Sequence, residues 1–139
     1  MSRDGSIRFA SEDKLDAQEF RRVLIDSGLA TIRPVEDPER LARMLGNANL
    51  IVTARREDGE LIGVARCITD HCWCCYLSDL AVSSTAKGLG IGRGLVAEVR
   101  QRLGPEVAIF LASVPDAAGF YERIGMARME DTFWLERER

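Results

Sequence analysis

The 139-residue sequence holds one histidine and no surplus of basic residues: 19 Lys and Arg stand against 22 Asp and Glu, a formal charge of -3. Basic residues come no denser than the pairs Arg21-Arg22 and Arg55-Arg56. The footprint that a nucleic-acid phosphate backbone demands is therefore missing. No apolar run approaches the ~20 residues of a membrane span, and the opening MSRDGSIRF lacks the apolar core of a secretory leader. These absences exclude DNA, RNA and membrane as partners and imply a cytoplasmic protein. Repeats, low-complexity tracts and linkers are also lacking, so residues 1–139 are expected to form a single domain around one core.

What is present is ordinary globular material, 46% hydrophobic and 29% charged, which excludes disordered and fibrous classes. Four cysteines, Cys67, Cys72, Cys74 and Cys75, crowd around His71. Structural zinc sites use two separated pairs, and adjacent residues such as Cys74 and Cys75 point to opposite faces of a strand. The cluster reads as small buried hydrophobes in a reducing compartment, with no metal.

Ser6 to Ala10 reads as a strand, and Asp13 to Ser27 as a helix stopped by Gly28. Asp37 caps a second helix that has Pro38 at its first position. LIVTARRE, an Asp58-Gly59 turn and LIGVARCIT give a β-hairpin, and CWCCYLSDLAVS adds a third antiparallel strand. Ile91, Leu95, Val99 and Leu103 recur at helical spacing up to Gly104-Pro105. VAIFLA, 107–112, suits a strand covered on both faces. A right-handed crossover makes it parallel to the strand ending at Val82. A short helix over 117–124 and a tail, ARMEDTFWLER, able to supply a last strand complete an α/β sandwich.

In STAKGLGIGRGLV, residues 84–96, four glycines stand at two-residue spacing. Between a strand and a helix, such residues permit positive φ and let another molecule approach bare main chain. The free amides and dipole of the helix start favour an anion. Close packing of helix on sheet is the other use of glycines there. The nucleoside-triphosphate loop, Gly-x4-Gly-Lys-Ser/Thr, is excluded because Arg93 or Leu95 stands where it needs its second glycine, and the dinucleotide fingerprint fails at the same residues.

The run Lys87-Gly88-Leu89-Gly90-Ile91-Gly92, following LSDLAV, resembles the acyl-CoA pyrophosphate loop of the GNAT superfamily of N-acyltransferases, Arg/Gln-x-x-Gly-x-Gly/Ala. Lys87 departs from the usual first residue. GFYERIGM, 119–126, is similar to the superfamily's later Phe-Tyr-Glu-Lys-x-Gly-Phe motif, in the correct order. The resemblance implies a mixed, mostly antiparallel sheet flanked by helices, with the strands at 76–82 and 107–112 splayed apart.

It further implies acetyl-CoA as co-substrate, with Lys87, Gly88, Leu89, Gly90, Ile91, Gly92 and Arg93 around its diphosphate. Main-chain groups of Leu80, Ala81 and Val82 would bond its pantetheine arm, and the amide of Leu80 or its neighbour would polarise the thioester oxygen. Tyr121 is the expected general acid to the departing thiolate. Asp79, on the strand beside the cleft, is the candidate to bind the acceptor's ammonium or, through water, to take its proton; a surface or hairpin-satisfied carboxylate is the other reading. Relatives carry Glu or His where this chain has Tyr76 or Ser78, and proximity alone can replace a dedicated base.

The implied reaction is direct attack by a primary amine, on a small molecule or on a protein lysine or N-terminus, with Asp70, Asp79 and Asp116 available to attract a cation. A CoA-binding sensor without catalysis and a plain interaction domain are the alternatives. Dimerisation is expected from the family habit, with Phe133-Trp134-Leu135 as a candidate surface and core packing as the simpler use of those residues.

Overall fold

Helix starts follow the capping chemistry of the sequence, and a computed structural model describes residues 6–139. Residues 1–5, part of the opening on which the no-leader reading rests, lie outside that range. The Asp16 carboxylate accepts from the Glu19 amide at 3.1 Å, so helix α1 spans Ala17–Ser27 rather than beginning at Asp13, and Gly28 ends it at φ 89°. Asp37 accepts from the Arg40 amide at 3.1 Å and starts helix α2, Pro38–Asn47.

Strands β1 (Arg8–Ser11), β2 (Leu50–Arg55), β3 (Leu61–Thr69) and β4 (Cys74–Val82) form an antiparallel meander. Helix α3, Ile91–Leu103, then crosses over and delivers β5, Ala108–Phe110, parallel to β4, and helix α4, Ala118–Arg123, follows. The sheet order is β1-β2-β3-β4-β5. No helix among the described residues is long and apolar enough to cross a membrane.

Each sheet face has its own core. Ile91, Leu95 and Val99, one stripe of α3, pack on Val52, Ala65, Cys67 and Leu77. Phe20, Val23 and Leu24 of α1 and Leu41 of α2 pack on Ile51, Val64 and Ala81 behind the sheet. Gly63 lets α3 lie directly on β3, since a Cβ there would come within 2.8 Å of the Ile91 side chain.

Two expectations fail at the C-terminal end. β5 is three residues long with Ala108 and Phe110 exposed, not a strand covered on both faces. No strand follows it: residues 127–139 turn near Thr132, whose hydroxyl donates to the Met129 carbonyl at 3.3 Å. They then reach α2, where Arg40 donates to the main-chain oxygen of Arg139 at 3.4 Å. Phe133 and Leu135, 92% and 98% exposed, are not core residues.

Arg55, at the end of β2, bridges Glu12 (2.7 Å) and Glu19 of α1 (2.9 Å), tying the helix to the sheet. Hydrogen bonds from its guanidinium hold both carboxyls below their ordinary value of 4.5. A depressed native pKa stabilises the fold above the unfolded-state pKa, and that stability is lost as pH falls through the native values. Urea midpoints are therefore expected to drop as the pH descends through 4.5, and Arg55→Met to flatten that dependence. An equally steep acid transition in the variant would show that this bridge does not cause it.

Candidate functional site

Pairing between β4 and β5 lasts only from Cys74↔Ala108 to Tyr76↔Phe110, although β4 runs on to Val82. Beyond Tyr76, β4 has no strand neighbour on that side, so the parallel strands part. Toward β3 the register slips from Cys67↔Leu77 to Arg66↔Asp79, leaving Ser78 as an extra residue. A bulge bends its strand and changes which side chains share a face. Cys75 and Leu77 pack toward α3 before it, Leu80 and Val82 after it.

A cavity of about 960 Å³ is lined by Leu80, Val82, Lys87, Gly88, Gly90, Ile91, Gly92 and Arg93, with Phe120 and Arg123 opposite. A second, of about 640 Å³, faces α2 and the tail and is lined by Arg33, Arg40, Arg66, Tyr76, Trp134 and Arg137. Leu80 and Tyr121 border both cavities, so the two meet at the parted strands.

The four-glycine ladder divides by purpose. Gly88 (φ +83°) and Gly90 (φ +76°) hold left-handed backbone, and a Cβ at either would meet no atom within 4 Å. They serve the course of the main chain and an open approach to it. Gly92 and Gly94 instead make room for the rings of Phe120 and Phe9. No side chain caps α3 and its first turn carries no acidic residue, so its first amides remain available to an anion. Asp26, at the end of α1, accepts from the Ser83 and Ser84 hydroxyls and fixes the entry to this turn.

Of the residues singled out in the sequence, Ala81 is buried toward α1 and Leu89 points outward, 38% exposed. Tyr121 is partly buried, and that burial pushes its hydroxyl above the ordinary 10.0. The phenol is thus protonated at neutral pH. Asp79 does not open to the cleft. Its side chain is 0% exposed, and its two oxygens accept from Arg33 Nε and Arg66 Nε. It has no spare face for an acceptor's ammonium.

Cys67 and Cys75 are buried as expected, whereas Cys72 is exposed and Cys74 partly so. His71 lies in the exposed turn between β3 and β4.

Sequence reading missed the arginines. Arg33 also donates to the Ile32 carbonyl (2.9 Å) and, at the bulge, to the Ser78 carbonyl (2.8 Å). Arg66 donates to the Ser78 hydroxyl (3.0 Å) and the Met44 carbonyl (3.3 Å). A signal existed for one pair: Arg66 in LIGVARCIT and Asp79 in LSDLAV are the charges inside two otherwise apolar neighbouring strands, and buried charges come paired.

A family model described as an acetyltransferase (GNAT) domain matches residues 17–135. By sequence, the chain is similar to an uncharacterized N-acetyltransferase, ycf52, of Pyropia yezoensis, at 26% identity over 102 residues. That match takes in 67% of this chain and 59% of the relative, so the chain spans less than two thirds of that protein. In structure it resembles a candidate acetyltransferase of Deinococcus radiodurans R1, with a TM-score of 0.77 at 27% identity, covering 99% of this chain and 92% of that one. An aminoglycoside acetyltransferase from an uncultured soil metagenomic sample, solved with sisomicin, shares the fold at 17% identity, with a TM-score of 0.73 over 99% and 100% of the two chains.

Proposed function

This chain belongs to the GNAT acetyltransferase family, and on that premise we propose that it transfers an acetyl group from acetyl-CoA to a primary amine by direct attack. The observation that carries this reading is the meeting of two cavities at Leu80 and Tyr121, one floored by uncapped helix amides and one open to an acceptor. When bound, acetyl-CoA supplies a thioester whose carbonyl carbon forms the new C–N bond as its C–S bond breaks.

The chain's residues supply the rest. Amides from Gly88 to Gly92, with Lys87 and Arg93, bind the diphosphate at the positive end of α3. Leu80, Ala81 and Val82 pair with β3 but lie on the length of β4 that has left β5, where main-chain groups orient the pantetheine arm and the Leu80 amide faces the developing oxyanion. Tyr121 holds a proton at its hydroxyl and gives it to the leaving sulfur. Asp79 is a positioning residue that aligns Arg33 and Arg66. Positive charge disfavours an ammonium, so the arginines help the amine lose its proton without a dedicated base. The four free thiols fit a reducing, cytoplasmic setting.

Calorimetry with CoA, followed by thiol release from acetyl-CoA over an amine panel, tests this. CoA at 100 times its Kd should add about 2.7 kcal/mol of apparent stability, and at least one amine should drive release above background. Binding without release would identify a sensor, and no heat would remove the reading altogether. Gly90→Val forces a β-branched residue into left-handed backbone and places its methyls in the open approach. CoA affinity should fall by about tenfold or more, the worth of one hydrogen bond to a charged group. Unchanged affinity would place the diphosphate elsewhere.

A further inference from the structure

Among the described residues, four arginines line the acceptor-side cavity, Arg33, Arg40, Arg66 and Arg137, and no Asp or Glu does. Asp79, fully buried, accepts from Arg33 and Arg66 and balances one of the four. The cavity therefore carries a surplus of positive charge, in a protein whose overall formal charge is -3.

Two of these guanidiniums are fixed in place. A guanidinium has five N–H donors, and Arg33 gives three to Asp79, Ile32 and Ser78. Arg66 likewise gives three, to Asp79, Met44 and Ser78. Each keeps two donors beyond those bonds, on side chains only 20% and 7% exposed. Donors held in that way are preorganised for an oxyanion. Arg40 gives one donor to the main-chain oxygen of Arg139 at 3.4 Å, and Arg137 takes part in no side-chain ion pair among the described residues.

Resting on the acetyl-transfer reading, we infer that the acceptor is an amine that also carries an oxyanion, a carboxylate or a phosphate, which the arginine cluster receives while the amine points to Leu80 and Tyr121. Met44, Tyr76, Leu111 and Trp134 supply apolar wall for a compact body between the two groups. Polycationic amines are disfavoured by the same charges. The expectation that Asp70, Asp79 and Asp116 attract a cationic acceptor is thereby reversed at this cavity.

The test uses matched amines on the CoA-saturated protein, followed by calorimetry and by thiol release from acetyl-CoA. Phenylalanine against phenethylamine isolates a carboxylate; phosphoethanolamine against ethanolamine isolates a phosphate. In at least one pair, the oxyanion-bearing member should bind about tenfold or more tightly, as a charge-assisted hydrogen bond implies. The pair that responds identifies the oxyanion. Substituting Arg40→Gln and Arg137→Gln together should shrink that ratio.

Equal or tighter binding by the bare amines in both pairs would overturn the inference, and so would no binding by any of the four. Release of thiol with spermine, but with neither oxyanion-bearing amine, would overturn it while leaving acetyl transfer standing. Should CoA give no heat, acetyl transfer fails separately, and the four probes are then titrated into the free protein by the same criterion.

Discussion

Replacing Tyr121 with phenylalanine is expected to lower kcat by about 10²- to 10⁴-fold, the range a positioned general acid supplies. The fold and the KM for acetyl-CoA should change little. The ring is what packs: it meets Phe120 edge-on with centroids 5.1 Å apart, and phenylalanine keeps that contact. Tyr121 borders both cavities, and its hydroxyl keeps its proton because burial raises its pKa. The wild-type rate should therefore fall on the alkaline side as the phenol ionises, and the variant should lack that limb. A variant turning over within about twofold of wild type, far inside that range, would make Tyr121 a packing residue.

Removing the Asp79 carboxylate is expected to cost about 3–5 kcal/mol of folding stability, the penalty for leaving a buried charge uncompensated. In Asp79→Ala, two guanidiniums would face one another across the bulge with no anion between them. Urea denaturation measures the loss. The contrasting result is informative: unchanged stability with a rate whose pH optimum moves upward would make Asp79 a proton acceptor after all. Asp79→Asn should be the milder change, because its amide oxygen still accepts from one arginine.

The helices were legible because their signals are local. Asp37-Pro38 and Gly104 mark ends that the structure repeats, and Asp16 moved the start of α1 only because its side chain caps where Asp13 does not. The meander followed from the Asp58-Gly59 turn, and the left-handed turn before α3 from the spacing of Gly88 and Gly90. The end of the sheet was not legible. The alternation of Phe133 and Leu135 matches that of a strand, yet a strand exists only where a neighbour pairs with it, and the tail pairs instead with α2.

The acceptor side was hidden for the same reason. Arg33 follows a 3-10 turn, Arg66 lies on β3 and Arg137 in the tail; only the folded chain gathers them. Asp79 stayed open between two readings because a carboxylate beside a cleft and one satisfied within the hairpin have the same sequence; its bonds to Arg33 and Arg66 favour the second.

Gly63 has a reach beyond its own strand. Its missing side chain leaves the seat on which Ile91, the first residue of α3, and Leu95 rest, at 2.8 and 3.1 Å from where a Cβ would stand. The height of the turn proposed to hold the diphosphate is thus set from below, by a floor away from the turn itself. A side chain filling this seat would have to displace Ile91 or Leu95, and on the proposed reading its effect on coenzyme affinity would originate under the loop rather than in it.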